Sequence, residues 1–169
     1  MANKIRLAGI AQQSTVNGAG LRKVYFSQGC SHHCKNCFNK ETWSFTGGQI
    51  FDIDKLVKDI SQETYLDGVT LSGGDPLEQP KPFSILASKI RKLGFNIWCY
   101  TGYTWEQIVK NMKKNKSLAT LIKQIDVLVD GRYVDALHSE TIKYRGSTNQ
   151  RIIDVQKSLT TKKTIMTDY

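Results

Sequence analysis

The sequence predicts an α/β fold, a partial and open β/α barrel built on a mainly parallel sheet. Three observations lead there. Short apolar runs rich in β-branched and aromatic residues alternate with segments whose apolar residues recur at the 3–4 spacing of an amphipathic helix, and such alternation builds parallel strands joined by crossovers. The chain has 169 residues, too few for a complete eight-fold barrel of roughly 250, so an incomplete one is expected, as one domain over residues 1–169. The residues suited to chemistry fall just after the strands, where parallel β/α folds collect their active sites.

Taken in order, Arg22 to Gln28 is a first strand, entered through Gly18-Ala19-Gly20. A cysteine-rich loop and a Trp43/Phe45 patch follow, ending at Gly47-Gly48. Asp52 to Glu63 carries Ile53, Leu56, Val57 and Ile60 at helical spacing. Val69 to Ser72 is a short buried strand stopped by Gly73-Gly74-Asp75-Pro76. Phe83 to Leu93 is helical, with Pro82 near its start and Gly94 at its end. Phe95 to Thr101 is a third strand, and Thr104-Trp-Glu-Gln107 is a capping box opening the next helix. Ile125 to Asp130 is a fourth strand, closed by Gly131.

The formal charge of +9 is spread along the chain, densest at Lys110–Lys116 and Lys157–Lys163. Neither patch is interleaved with aromatic residues as a nucleic-acid platform would be. Solvated lysine faces are the plain reading, although a basic surface also suits an acidic protein or a nucleotide. No apolar run is long enough to span a bilayer, and no signal-peptide core is present. A cytoplasmic, reduced chain is expected, with no nucleic-acid or membrane partner.

Cys30, Cys34 and Cys37 form a Cys-x3-Cys-x2-Cys run. In a reduced compartment such clustering favours a metal over a disulfide. Two metals remain open on spacing alone. Three thiolates on a four-iron cube would leave one iron free to bind something else. A structural zinc would take His32 or His33 as its fourth ligand. Cys99 lies far away in an apolar run and reads as a buried strand residue. Gly73-Gly74-Asp75-Pro76 is by itself a tight strand-to-loop turn. Its glycines also let main chain approach a ligand, and its carboxylate is able to accept from an ammonium group. Gly18-Ala19-Gly20 lacks the third glycine of a dinucleotide loop and the Gly-Lys-Ser/Thr of a phosphate loop.

Four blocks carry a resemblance: Asn17-Gly-Ala-Gly-Leu-Arg22, Gln28 to Asn39 continuing to Glu41-Thr-Trp43, Thr70-Leu-Ser-Gly-Gly-Asp-Pro-Leu77, and Tyr144-Arg-Gly-Ser-Thr-Asn-Gln-Arg151. Together the sequence resembles the radical S-adenosylmethionine enzymes, and among them the activating proteins of anaerobic (class III) ribonucleoside-triphosphate reductase. The last block is the discriminating one. Two positions depart from the pattern: Ala19 stands where the family usually has Pro, and Asn36 precedes the third cysteine where radical S-adenosylmethionine enzymes generally have an aromatic, with Phe38 just after it.

The resemblance implies a radical S-adenosylmethionine domain whose Cys30, Cys34 and Cys37 hold a [4Fe-4S] cluster. It implies S-adenosylmethionine as second cofactor, met by main chain from Asn36 through Cys37 to Phe38 at the adenine and by Gly73, Gly74 and Asp75 at the methionine end. A reducing donor such as a flavodoxin would supply an electron. The resulting 5′-deoxyadenosyl radical would take hydrogen from a backbone glycine of the reductase large subunit. On this reading no side chain acts as acid or base, Gly74 serves cofactor binding and not folding, and Tyr103, Asp130 and Arg145 are further cleft candidates. The alternatives are another radical S-adenosylmethionine enzyme, acting on a small molecule or a different glycyl-radical protein, and a basic zinc-binding interaction module.

Overall fold

Residues 3–169, the part of the chain that the computed structural model describes, form seven strands and five helices. They are β1 (Lys4–Ser14), β2 (Arg22–Ser27), β3 (Gln49–Asp52), α1 (Ile53–Ile60), β4 (Gly68–Gly73), α2 (Pro80–Lys92), β5 (Asn96–Tyr100), α3 (Trp105–Met112), α4 (Lys116–Gln124), β6 (Val127–Asp130), β7 (Arg151–Asp154) and α5 (Val155–Thr161). All strands join one sheet in the order β3-β1-β2-β4-β5-β6-β7.

The expectation of a mainly parallel sheet is corrected. Only β2/β4, β4/β5 and β5/β6 pair in parallel. The pairs β1/β2, β1/β3 and β6/β7 are antiparallel, so the sheet is mixed, with a parallel centre and antiparallel flanks. The flanking strands escape the sequence pattern for physical reasons. β1 carries two register shifts against β2, which break the period-2 alternation by which a strand is recognised. β3 and β7 have only four residues each. The Lys110–Lys116 patch is not one helix: α3 ends at Met112, and Asn115 caps α4 by accepting from Leu118 N at 3.0 Å. The Thr104/Gln107 capping box is present as expected.

The two faces of the sheet have different tasks. Leu7, Tyr25, Leu71, Cys99, Leu128 and Ile153 alternate along their strands, are fully buried, and pack against Phe83, Leu86 and Ile90 of α2 and Leu121 and Ile122 of α4. Burying each such side chain contributes roughly 1.5–3 kcal/mol. On the other face Trp98, Val127, Val129 and Ile152 make a smaller cluster with Ala19 and Tyr144. That face is left for the cleft described below.

The Asn17–Arg22 block closes the far end of this face. Gly18 has φ +116, and a Cβ there would meet the Trp98 ring at 2.8 Å. The buried Arg22 guanidinium donates to Thr70 Oγ1 (2.8 Å), Val69 O (2.7 Å), Asn96 Oδ1 (2.7 Å) and Ala19 O (3.0 Å). Burial brings its pKa down to about 10, which leaves it charged at neutral pH.

A charged clasp ties α3 to the sheet edge. Arg151 holds Glu106 through two nitrogens (3.1 and 2.8 Å) and donates from Nε to Asp130 at 3.0 Å. The hydrogen bonds from Arg151 bring the Glu106 carboxyl down to about 2. Its contribution is therefore complete above the unfolded carboxyl pKa and lost as pH falls toward 2. Glu106 is 61% exposed, so the clasp is worth no more than about 1 kcal/mol. Urea denaturation of Glu106→Gln should show a lower midpoint than the parent at pH 7, and the gap should shrink between about pH 4.5 and 2. A gap that stays constant with pH would mean that the charge is not what holds α3.

Candidate functional site

The cysteine loop is a closed unit hung from the end of β2. Gly29 turns the chain at φ +107. Its N–H donates to Thr42 O at 2.7 Å, and Cys30 N donates to Trp43 O at 3.1 Å, joining the two ends of the loop. The Gln28 amide reinforces the closure from Nε2 to Ser44 O (2.6 Å) and Glu41 O (3.2 Å). Inside the loop Cys37 N donates to Cys34 O at 3.1 Å, and His33 and Asn36 take positive φ values of 49° and 56°. These bonds hold all three cysteines on one closed loop. Cys30 is buried, and burial pushes its thiol up to about 11, with Cys34 among the smaller contributions. Cys34 is likewise pushed up by burial and then by the neighbouring Cys37. Metal binding requires the thiolate forms that burial disfavours, and a bound cation offsets that cost.

The Gly-Gly-Asp-Pro turn packs directly onto this loop. Gly74 N donates to Ser27 O (2.8 Å) and Asp75 N to Gly29 O (2.9 Å). Gly73 has φ +93, and a Cβ there would lie 2.7 Å from the main-chain carbon of Phe26. A Cβ on Gly74 would press into the Gly29 carbonyl oxygen and come within 3.0 Å of Thr42 O. The expectation that Gly74 serves cofactor binding and not folding is thus corrected. Both glycines line the cleft, but what forbids a side chain at Gly74 is the main chain of the cysteine loop behind it.

Asp75 also has a different place from the one expected. Its carboxylate is wholly buried. It accepts from Leu77 N (2.9 Å), Thr101 Oγ1 (2.8 Å), Gly102 N (2.9 Å) and, across to the cysteine loop, His32 Nε2 (2.7 Å). Around it, the hydroxyls of Ser31 and Tyr103 both donate to Glu78 Oε1, the latter at 3.0 Å, and the His32 and Tyr103 rings meet edge to face at 4.6 Å. Asp75 therefore holds the ends of β4 and β5 to the cysteine loop and has no free oxygen turned to the cleft.

The cleft itself has a volume of about 840 Å³. Phe26, Ser72 and Tyr100 form its floor, Cys34, Cys37 and Phe38 one side, and residues 139–146 the other. Of the two adenine candidates, Phe38 lines the cleft and lies 5.0 Å from the ring of Tyr133. Asn36 is turned away to donate to Asp135 Oδ2 at 2.8 Å. Asp130, a cleft candidate from sequence, is buried in the Arg151 clasp and accepts from Trp105 N at 2.7 Å. Tyr103 belongs to the Glu78 group, and Arg145 lines the cleft. Sequence reasoning missed Tyr100 and Tyr133. Each sits at or just beyond a strand end, the one signal that would have marked them.

The donor set fits an iron–sulfur cluster. Three soft thiols are carried by one closed loop, while Cys99 lies buried on the helical face of β5. Neither histidine is turned to complete a zinc site: His32 is held by Asp75, and the His33 ring stacks on Trp43 at 4.5 Å. Among the described residues no three His, Cys, Asp or Glu donors converge as a single ion would require.

A three-thiol loop at the end of the parallel strands of an α/β sheet defines an iron–sulfur protein of the single-cluster kind, and residues 16–153 match the family model described as "4Fe-4S single cluster domain". The chain is 39% identical over 144 residues to the anaerobic ribonucleoside-triphosphate reductase-activating protein of Enterobacteria phage T4, covering 81% of this chain and 86% of that one. It is 36% identical over 144 residues to the protein of the same name from Salmonella typhi, with 80% and 89% covered. For the Haemophilus influenzae protein the identity is 33% over 146 residues, with 81% and 90% covered. The chain belongs to the family of anaerobic ribonucleoside-triphosphate reductase-activating proteins.

Gly74→Val should destabilise the fold by roughly 1–3 kcal/mol through overpacking and release the cysteine loop. Urea midpoint and iron content after anaerobic reconstitution should fall together. A variant with an unchanged midpoint and full iron that fails only to bind S-adenosylmethionine would restore the cofactor-contact reading.

Proposed function

We propose that this protein activates an anaerobic ribonucleoside-triphosphate reductase by generating a glycyl radical in it, with a [4Fe-4S] cluster and S-adenosylmethionine as cofactors. One observation carries the reading: Cys34 and Cys37 line a cleft with Gly73 and Gly74, with Cys30 buried on the same loop and no fourth thiol on it, in a chain of this family. A reduced cluster bound beside S-adenosylmethionine would supply one-electron cleavage of the sulfonium and, through it, hydrogen-atom abstraction from a glycine of the reductase.

The protein's own residues provide position and shelter. Cys30, Cys34 and Cys37 would hold the cluster, and with no fourth thiol on the loop they would leave it open to S-adenosylmethionine. Gly73 and Gly74 bring bare main chain to the cleft, where a methionine end lies flat against it. Phe38 and Tyr133 give an aromatic surface at the mouth for the adenine. The inner face of the sheet is the concave wall of an open, partial barrel of the radical S-adenosylmethionine type, and an inserted loop of the reductase closes it against water. The electron comes from a reduced carrier protein such as a flavodoxin, and the setting is the cytoplasm. No helix of the described residues is long and apolar enough to cross a membrane.

Cys30→Ser, Cys34→Ser and Cys37→Ser should each abolish cluster binding in anaerobically purified protein, while Cys99→Ser keeps it. Reduced wild-type protein with S-adenosylmethionine should give a glycyl-radical signal in electron paramagnetic resonance only when the reductase is added. Stoichiometric zinc without iron, or a nucleotide triphosphate modified in the absence of reductase, would contradict the proposal.

A further inference from the structure

The Arg145–Gln150 block singles out this family in sequence, yet it contributes no cluster ligand. In the structure most of it is a clip. Gln150 Oε1 accepts from Gly146 N (2.8 Å) and Ser147 N (3.1 Å), and its Nε2 donates to Gly131 O at 3.0 Å. Asn149 Nδ2 donates to Arg132 O (2.9 Å), Ser147 Oγ accepts from Val134 N (3.1 Å), and Thr148 N donates to Leu137 O (2.9 Å). These bonds pin the loop after β6 to the start of β7 and anchor the C-terminal end of residues 139–146, which line the cleft together with Cys34, Cys37 and Phe38.

Arg145 is the member of the block whose bonding is incomplete. Its Nη1 donates to Gln150 O at 3.1 Å, which orients the guanidinium. Its Nε–H is buried and has no partner among the described residues. A second orphan donor in the same lining is the Tyr100 hydroxyl on the cleft floor. Burial pushes that hydroxyl further from ionisation, so it keeps its proton to donate. Buried donors without acceptors are costly, and the cost is recovered when an acceptor arrives. A guanidinium is a poor neighbour for the sulfonium of S-adenosylmethionine, since like charges repel in a sheltered site. A neutral polypeptide main chain, whose carbonyls are strong acceptors, suits both donors.

We propose that Arg145 and Tyr100 bind main-chain carbonyls of the reductase segment that carries the radical glycine, with the clipped 139–146 wall setting that segment's depth in the cleft. This deepens the function proposed above and rests on it. The two are separable, because S-adenosylmethionine cleavage without the reductase needs no inserted segment.

The test compares wild-type holoprotein with Arg145→Gln, Arg145→Lys and Ile142→Asp. The last lies on the wall but outside the clip, so it reports on the surface even if changing Arg145 loosens the loop. Three quantities are read: 5′-deoxyadenosine formed by reduced protein alone, the KM for the reductase in activation, and the glycyl-radical yield. All three variants should cleave S-adenosylmethionine alone within about twofold of wild type. Each should raise the KM for the reductase by at least about tenfold, as loss of a charge-assisted hydrogen bond or insertion of a charge predicts. Arg145→Lys should not rescue, since lysine lacks the Nε–H of the planar fork. Activation at the wild-type KM would overturn the proposal. So would parallel loss of cleavage in the absence of reductase, which would place Arg145 at the cofactor. Failure of the wild type itself to cleave S-adenosylmethionine would instead remove the underlying function.

Discussion

The carboxylate of Asp75 is the interaction on which the geometry of the site depends. It is fully shielded from water, and its acceptor capacity is taken up by donors from three separate segments: Leu77 of its own turn, Thr101 and Gly102 beyond β5, and His32 of the cysteine loop. Removing one donor from such a buried, hydrogen-bonded group costs roughly 1–3 kcal/mol or more, well above a surface contact. The energy falls at one point, where the ends of β4 and β5 meet the loop that carries the thiols. Loops are ordinarily the mobile part of a fold, but this one is fastened to the most buried part of the sheet.

The glycines around Asp75 make that fastening possible. Gly29 and Gly74 allow two main chains to approach until Asp75 N reaches Gly29 O at 2.9 Å. Gly102 lets the end of β5 lie against the His32 ring, where a Cβ would sit 2.5 Å from the imidazole. A cluster site needs its ligands held before the metal arrives if affinity is not to be spent on ordering the loop. Here the ordering is done by main-chain bonds and one carboxylate, which leaves the cleft side of Gly73 and Gly74 free to meet a ligand.

The parallel centre of the sheet, with β2, β4, β5 and β6 near their expected limits, was legible in the sequence because buried parallel strands are continuous apolar runs. The antiparallel flanks were not. The shifts in β1 blur its alternation, and the short β3 and β7 are only partly buried, so neither shows the continuous apolar run that marks the equally short β6. The cysteine run was legible because its spacing is local and places all three residues on one loop. Asp75 and Asp130 were placed in the right region and given the wrong surroundings. A carboxylate that faces a ligand and one that ties strands together look the same in one dimension, and only the positions of Thr101, Gly102, Trp105 and Arg151 in space separate them. The clip made by Asn149 and Gln150 was invisible for a related reason: its acceptors are main-chain carbonyls, which no residue pattern records.

This account makes the cysteine loop as firmly held as the strands. Hydrogen exchange on the protein, read by mass spectrometry over peptides covering residues 28–43 and 68–76, tests that directly. Amides at Gly29, Cys30, Gly74 and Asp75, all hydrogen-bonded in the structure, should exchange as slowly as those of β4, and Asp75→Ala should release them while β1 and α2 stay protected. Rapid exchange of residues 29 and 30 in the unaltered protein, at the rate of exposed loop amides, would contradict it.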